Sequence, residues 1–295
     1  MKRTVFSAFS TAILLSATPS FAAYDFKVVD YPGAAQTMLI AVNDLGVAVG
    51  QLTDAANDTH PFVWADGRFS LLDPDGVVGK SAAGHAYSIN ALGTIAGSYA
   101  DASNVLHGYV RRGRTTVPVE YPGGLPTEAY GVNDREQVIG VYTTPDGNTH
   151  AFELAGGVYV AEDVPGSITT VPLSINDRGQ IVGFYLTVAG TIGQGYVREP
   201  DGTFRTYNAP DAAANSSFLI SVNNVGEAVG GYADASGNVQ NILLVGGDIE
   251  DLAVPTGYAA SYQSFQTIND LGEIVGYFDD AAGASHGFIA LPALH

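Results

Sequence analysis

The sequence contains no cysteine, which excludes disulfide-stapled miniproteins, thiolate metal sites and cysteine nucleophiles. Trp64 is the single tryptophan, which disfavours a lectin that repeats a tryptophan platform in every structural unit. Basic residues are also scarce, with 12 Lys and Arg against 30 Asp and Glu and a formal charge of −18. A surface of this charge repels nucleic acid and anionic lipid, so neither is an expected partner.

No apolar run is long enough to span a bilayer, and the N-terminal run has another explanation. Lys2 and Arg3 precede an apolar stretch from Val5 to Ala17, and the small-residue pattern Ser20-Phe21-Ala22 follows. This pattern predicts a secretory signal peptide over residues 1–22, cleaved near Ala22. Its removal leaves 10 basic and 30 acidic side chains, a formal charge of −20. We therefore expect residues 23–295 to form one secreted domain, periplasmic or extracellular, with no membrane span.

One unit recurs along the chain after the leader. It reads Val-Asn-Asp-Leu-Gly-Val-Ala-Val-Gly from Val42 and Ile-Asn-Asp-Arg-Gly-Gln-Ile-Val-Gly from Ile175. The Asn of this unit recurs at spacings of 43 to 47 residues, at Asn43, Asn90, Asn133, Asn176, Asn223 and Asn269. Each is followed by a Gly, at Gly50, Gly97, Gly140, Gly183, Gly230 and Gly276, and then by a His or Gln, at His60, His107, His150, Gln194, Gln240 and His286. These are six copies of one structural unit.

Each copy is predicted to form four short strands. Large Ile40 and Val42 on either side of small Ala41 indicate an innermost strand with one packed and one crowded face. The following Asn-Asp-x-Gly predicts a hairpin turn, because Asn and Asp bond to their own backbone and Gly supplies a positive φ. Three further strands follow in the first five copies, and four strands per unit of this length are typical of a β-propeller blade.

The two chain ends indicate that the ring is closed. The last copy stops at Leu291 without a fourth strand, while Tyr24–Asp30 matches the fourth strand of other copies. The prediction is therefore an all-β fold, a six-bladed β-propeller of four-stranded blades, with the N-terminal strand completing the last blade. An open β-solenoid is the alternative, which the displaced strand disfavours because closure protects sheet edges.

The third predicted strand carries a recognisable motif, His150-Ala151-Phe152, with variants His60-Pro61-Phe62, His107-Gly108-Tyr109 and His286-Gly287-Phe288. With these motifs the whole mature chain resembles the HAF-type extracellular repeat proteins. The resemblance implies export and a repeat fold, and it implies no defined activity.

The repeated polar residues are interpreted as structural. Blades around a ring separate the His/Gln residues too widely for one metal ion, and two copies carry Gln, which favours a hydrogen-bonding role. Acidic loops such as Asp54, Asn57 and Asp58 could bind calcium, but they lack the ligand spacing of a calcium loop. No metal and no cofactor is therefore expected.

Functional candidates lie where the copies differ, in the loops that connect one blade to the next. These loops are expected to surround the mouth of the central channel, where a pocket is the default binding site. The candidate ligand-binding residues are Lys80, His85, Glu128, Tyr130, Tyr258, Tyr262 and Gln263.

The leading hypothesis is a secreted binding or scaffolding module, which recognises an extracellular glycan or surface protein at the channel-mouth loops. One alternative is a secreted hydrolase or lyase with His85 as general base beside Glu128 or Tyr130. A second alternative is a purely structural envelope protein with no ligand. The sequence specifies no oligomeric state.

Overall fold

A computed structural model of the chain describes residues 24–72, 84–187, 193–253 and 262–293. The predicted signal peptide lies outside these residues. The described residues form 24 strands, arranged in blades of four strands around a central axis. No helix in these ranges has the length and apolar character needed to cross a bilayer. The predicted six-bladed propeller is confirmed.

The first three blades follow one another along the chain. Blade 1 contains β2 (Gln36–Val42), β3 (Ala48–Thr53), β4 (Thr59–Ala65) and β5 (Arg68–Leu71). Blade 2 contains β6 (Gly84–Ile89), β7 (Thr94–Ala100), β8 (Leu106–Arg112) and β9 (Thr115–Val119). Blade 3 contains β10 (Thr127–Val132), β11 (Val138–Thr143), β12 (Thr149–Ala155) and β13 (Val158–Ala161).

The last three blades repeat this order, and the sixth includes the N-terminal strand. Blade 4 contains β14 (Thr169–Ile175), β15 (Ile181–Leu186), β16 (Gln194–Arg198) and β17 (Phe204–Tyr207). Blade 5 contains β18 (Ser217–Val222), β19 (Ala228–Ala233), β20 (Val239–Val245) and β21 (Asp248–Leu252). Blade 6 contains β22 (Tyr262–Ile268), β23 (Ile274–Asp279), β24 (Ser285–Pro292) and β1 (Tyr24–Val29).

The ring is closed as the displaced strand predicted. β1 pairs antiparallel with β24 from Tyr24 opposite Pro292 to Val29 opposite Gly287. The closing strand also contacts blade 1, because the Lys27 ammonium lies 5.6 Å from the centre of the Trp64 ring. A cation over an indole face is attracted by the ring quadrupole. The two ends of the chain therefore stabilise the same blade junction.

The first strand of every blade contains a β-bulge, which the sequence pattern did not reveal. In blade 1 the register with β3 shifts between Leu39 and Ala41, and all six blades shift at the equivalent place. The predicted alternation of large and small residues is therefore interrupted at Ile40. A bulge adds one residue and bends the strand, and Ile40 at this position stays partly exposed between buried Leu39 and Ala41.

The bulge explains the glycine that follows each Asn by seven residues. A Cβ atom on Gly140 would lie 2.0 Å from the carbonyl oxygen of Glu128 and 2.8 Å from Cζ of Phe152. At the five equivalent glycines, an added Cβ atom would lie 2.0 to 2.3 Å from a carbonyl oxygen of the first strand. Only a residue without a side chain fits so close to the neighbouring backbone.

Apolar side chains from neighbouring blades fill the space between them. Phe152 in blade 3 is fully buried among residues of blades 2 and 3, including Ala96 and Val110. Blades 3 and 4 are joined further by one parallel pair, Thr149 with Thr169. Burial of aromatic and branched side chains between sheets is the main source of stability in a chain without disulfides.

The antiparallel order gives the ring two different faces. Turns between first and second strands and between third and fourth strands lie on one face, which we call the turn face. Loops between second and third strands and connections between blades lie on the other, which we call the loop face. Both faces surround the ends of the central channel.

Candidate functional site

The structure places the predicted site residues differently from the prediction. Lys80 and Tyr258 lie outside the described residues, and Tyr262 and Gln263 begin β22. His85 lies in β6, and Glu128 and Tyr130 lie in β10. The assignment of His85, Glu128, Tyr262 and Gln263 to connecting loops is therefore wrong, because the innermost strands begin earlier than the spacing suggested. His85, Glu128 and Tyr130 line the channel wall near its loop-face end.

A closed ring of amide hydrogen bonds surrounds the channel at the turn face. The Asn43 side-chain nitrogen donates to the backbone oxygen of Asn90 at 2.9 Å, and each following Asn bonds to the Asn of the next blade. Asn269 closes the ring by donating to the oxygen of Asn43 at 3.1 Å. The Asn oxygen meanwhile accepts from its own turn, as from Leu45 and Val47 in blade 1. Each Asn thus has two roles: its side-chain oxygen caps its own turn, as predicted, and its side-chain nitrogen bonds to the next blade.

Carboxylates form a second layer beside this amide ring. Asp270, for example, donates its backbone N–H to Oδ1 of Asp44 at 2.8 Å. The layer comprises Asp44, Asp134, Asp177, Asn224 and Asp270, with Ala91 in blade 2. Burial raises the pKa of Asp44, and the charges of Asp270, Asp134 and Asp177 add to this effect. These rings enclose a cavity of about 100 Å³ at the turn-face end of the channel, away from His85 and Glu128.

A polar cluster joins blades 2 and 3 in the channel wall. Glu128 accepts from the Tyr87 hydroxyl through Oε2 and from the Tyr130 hydroxyl through Oε1, both at 3.2 Å. Ser98 Oγ lies 3.2 Å from the same Oε2 and 3.3 Å from the Tyr87 oxygen. The Tyr87 and Tyr130 rings are 4.9 Å apart. Burial raises the pKa of both phenols, and Glu128 adds to the rise, so both stay protonated donors.

His85 extends this cluster towards blade 1. Its ring stacks on Tyr87 with centres 5.5 Å apart, and its Nδ1 lies 2.6 Å from Oε1 of Gln51. The Gln51 nitrogen is directed to the Met38 sulfur at 3.6 Å, which leaves Oε1 to accept from Nδ1–H. Burial lowers the pKa of His85, although the charge of Glu128 opposes this shift. The neutral imidazole therefore presents Nε2 as a hydrogen-bond acceptor.

The remaining channel wall near the loop face is mostly apolar. The innermost strands contact one another around the ring, and their residues alternate between buried and partly exposed, so we infer that the partly exposed side chains face the channel. At the positions equivalent to His85 and Tyr87, blades 1, 4 and 5 carry Met38 and Ile40, Val171 and Leu173, and Phe218 and Ile220. Blade 6 carries Ser264 and Gln266, which hydrogen-bond to each other at 2.6 Å. At these positions the wall is therefore polar in blades 2, 3 and 6 and apolar in blades 1, 4 and 5.

The histidines of the repeat lie on the loop face, where they contact loop carboxylates. His286 lies between Asp30, 2.8 Å from Nδ1, and Asp280, 3.6 Å from Nε2. His60 contacts Asp54 at 3.3 Å in the same way. Each imidazole thus ties the start of the third strand to a loop of its own blade or to the next connection. This geometry agrees with the hydrogen-bonding interpretation.

The acidic loops on this face make ordinary turn contacts. Asp54 Oδ1 accepts from the backbone N–H groups of Ala56 and Asp58, and Asp280 does the same for Ala282 and Ala284. The described residues contain no group of three or more acidic or imidazole side chains arranged for a metal ion.

Sequence reasoning missed part of the channel cluster. Tyr87, Gln51 and Ser98 were not among the candidate ligand-binding residues. A comparison of the repeats could have found them, because each is polar at a position where blades 4 and 5 carry an apolar residue or glycine. Leu173 is equivalent to Tyr87, and Phe184 and Gly231 are equivalent to Gln51 and Ser98. Their convergence depends on two blades meeting, which no single repeat encodes.

The chain matches no protein-family model, and no curated protein is significantly similar to it. Several solved propellers resemble it in fold. AofleA from Arthrobotrys oligospora is 14% identical with a TM-score of 0.52, covering 90% of this chain and 86% of its own. The Aleuria aurantia lectin, a six-bladed β-propeller with a fucose recognition mode, is 11% identical with a TM-score of 0.53, covering 89% and 93%. SapL1 lectin, solved with α-methyl fucoside, is 11% identical with a TM-score of 0.52, covering 88% and 97%. At these identities the resemblance establishes the fold alone.

Proposed function

We propose that this protein is an exported carbohydrate-binding propeller, whose ligand contacts the polar wall that His85, Tyr87, Glu128 and Tyr130 form in blades 2 and 3. The observation that carries the proposal is the group of hydrogen-bond acceptors in blades 2 and 3, with apolar side chains of blade 5 across the ring from blade 2. The leader of residues 1–22 and the resemblance to HAF-type repeats support export.

The free hydrogen-bonding capacity of the polar wall favours a ligand that donates. A carboxylate offers about four acceptor positions, and the described residues place one donor at Glu128 Oε1 and two near Oε2. Nε2 of neutral His85 is a second acceptor. A ligand with several hydroxyl groups satisfies both without a formal charge.

The opposite wall favours a ligand that also has an apolar face. Blade 2 lies across the ring from blade 5, so His85 and Tyr87 face Phe218 and Ile220. A pyranose ring has hydroxyl groups at its edge and C–H groups on its faces, and aromatic and branched side chains contact such faces well. The fucose recognition of the Aleuria aurantia lectin, a propeller of similar fold, supports sugars as the first ligands to test.

The test is a glycan array with the mature chain, followed by calorimetric titration of the strongest ligand and of α-methyl fucoside. Glu128→Gln replaces one acceptor oxygen by a donor, so we expect affinity to fall at least about 10-fold, the usual effect of losing one charge-assisted hydrogen bond. Glu120→Gln is the matched control, because Glu120 contacts His107 on the loop face and lies outside the channel.

Equal affinity in both variants would place the ligand elsewhere and reject the site. No binding to any glycan or to α-methyl fucoside would reject the function and favour the structural envelope role.

Catalysis is the second candidate, and the orientation of His85 is the observation that favours it. With Nδ1 held by Gln51, Nε2 is free of described partners and could accept a proton from a bound hydroxyl or sugar carbon. A hydrolase or lyase predicts turnover in a panel of polysaccharides and esters that His85→Ala abolishes. Binding without turnover would leave the lectin-like function alone.

A further inference from the structure

The turns between first and second strands end in an unusual set of exposed residues on the turn face. We call these six the tip residues, Leu45, Leu92, Arg135, Arg178, Val225 and Leu271. The four aliphatic ones, Leu45, Leu92, Val225 and Leu271, are 73%, 68%, 59% and 62% exposed. They occupy four consecutive blades, from blade 5 through blade 6 to blades 1 and 2. Clustered exposed aliphatic side chains mark a contact surface.

The turns themselves do not require aliphatic tips. In blade 1 the turn is held by Asn43 Oδ1, which accepts from Leu45 and Val47, and by Gly46 with its φ of 70°. The side chain of the tip residue takes no part in these bonds, and blades 3 and 4 form the same turn with Arg135 and Arg178. The aliphatic tips therefore serve something other than the fold.

The two arginine tips have no ionic partner among the described residues. Arg135 and Arg178 are exposed, and their guanidinium groups form no salt bridge or side-chain hydrogen bond in the described ranges. Arg112, which is exposed on the same face, contacts Glu136. In a chain of net charge −18, two unpaired cations beside an apolar arc point to an anionic and apolar partner.

The residue that precedes each tip residue is acidic in four blades and uncharged in two. Asp precedes the tip in blades 1, 3, 4 and 6, while blade 2 carries Ala91 and blade 5 carries Asn224. The order of the amide ring places blades 2 and 5 opposite each other. The pattern of charges thus has its two neutral positions on one diameter of the ring.

We propose that the partner is a second copy of this chain, docked turn face to turn face about a twofold axis that runs through blades 2 and 5. This axis places Leu92 against Leu92 and Val225 against Val225 of the second copy. It exchanges blade 1 with blade 3 and blade 6 with blade 4. Arg135 then meets Leu45 and Asp44 of the second copy, and Arg178 meets Leu271 and Asp270.

Charge complementarity selects this axis. It gives both arginines a carboxylate and an aliphatic surface for their methylene groups. It also brings Ala91 and Asn224, rather than a carboxylate, opposite their own copies. An axis through blades 1 and 4 would place Arg178 against Arg178 of the second copy, and an axis through blades 3 and 6 would place Arg135 against Arg135. An axis that passes between blades would place Arg135 against Arg178, or would leave one arginine facing Ala91 or Asn224 instead of a carboxylate. In the dimer the two channels are coaxial and open outward through their loop faces.

The absence of cysteine allows a direct test with single thiols. In the mature chain, Leu92→Cys and Val225→Cys should each give a disulfide-linked dimer under mild oxidation, because these positions face themselves. Leu45→Cys and Leu271→Cys should not, whereas Leu45→Cys combined with Arg135→Cys should. Equal cross-linking at all positions would overturn the axis, and no cross-linking at Leu92→Cys or Val225→Cys would overturn the interface.

Light scattering during size exclusion gives the second measurement. Val225→Asp places like carboxylates face to face and should weaken the dimer at least about 100-fold, since such contacts cost several kcal/mol. Val239→Asp is the matched control on the loop face, where Val239 is 50% exposed, and it should remain dimeric. A wild-type monomer at the highest soluble concentration would overturn the proposal, as would a monomer that sediments with phosphatidylcholine vesicles through its tip residues.

Discussion

Asn269 donates its side-chain amide to the backbone oxygen of Asn43 at 3.1 Å and so joins residues 226 positions apart. This bond closes a circle in which every blade donates to the next. A polar ring of this kind needs each of its members, because an unpaired buried acceptor loses its hydration without compensation. The closure of the propeller is therefore held at its axis as well as at the β1–β24 pair.

Removing Asn269 tests this circle. Asn269→Ala loses the donor to Asn43 and the acceptor for Leu271 and Glu273, so we expect a loss of about 2–3 kcal/mol in urea unfolding. Asn269→Asp keeps the acceptor but sets a carboxylate against the carbonyl, and should be no more stable. Asn148→Ala, which removes only an exposed bond to Asp146, should cost about 0.5 kcal/mol or less. Equal effects of Asn269→Ala and Asn148→Ala would contradict the role of the ring.

The requirement for glycine at position 140, opposite the bulge, can be tested by adding one methyl group. Gly140→Ala forces Cβ to within 2.0 Å of the Glu128 oxygen, and the backbone shift should cost about 3 kcal/mol or prevent folding. Gly84→Ala adds the same group where the nearest atom, Cγ of Pro61, is 3.5 Å away, and should change stability by less than about 1 kcal/mol. Thermal unfolding of the two variants measures the difference. Similar melting temperatures would show that the bulge relaxes easily.

The contact of His286 with the N-terminal strand predicts a dependence on pH. The hydrogen bond to Asp30 raises the pKa of His286, with Asp280 adding to the effect although burial opposes it. Because the folded-state pKa exceeds the unfolded value of about 6.5, the stabilisation is fully present below that pH and is lost as the pH rises through the folded-state value. Blades 4 and 5 carry Gln at this position. The variant His286→Gln should therefore lose less stability than the wild type as the pH rises from about 6 to about 9, the range in which an imidazole titrates. Parallel pH profiles of unfolding would refute the contribution.

The buried ion cluster between blades 3 and 4 gives a second prediction about pH, in the same direction. Arg198 lies 2.7 Å from Glu162 and 3.6 Å from Glu153, and burial raises the pKa of Glu162 while Arg198 opposes the shift. Arg198→Met leaves two buried carboxylates without a cation and should cost about 3 kcal/mol at neutral pH. A carboxyl group whose folded-state pKa is raised favours the folded state more as the pH falls, so part of this loss should return as the pH is lowered from neutral. A loss independent of pH in urea unfolding would indicate that packing of the arginine stem dominates.

Much of the fold followed from the repeat. The six Asn positions, the matching Gly positions and the displaced segment Tyr24–Asp30 were sufficient to predict the number of blades and the strand that closes the ring. The site was predicted less well. His85, Glu128 and Tyr130 do lie together in one wall of the channel, but they lie on strands. Their partners Tyr87, Ser98 and Gln51 were not among the predicted site residues.

The sequence by itself determined what repeats along the chain: turn chemistry at Asn and Gly, strand order, and the missing fourth strand at Leu291. These are local properties, since spacing and backbone preference act within one unit. Only the tertiary structure decided what meets across blades, such as the Asn43 amide on Asn90 and the polar wall of Glu128. Those contacts depend on ring curvature and on the bulge in each innermost strand, which bring residues more than 40 positions apart within hydrogen-bonding distance.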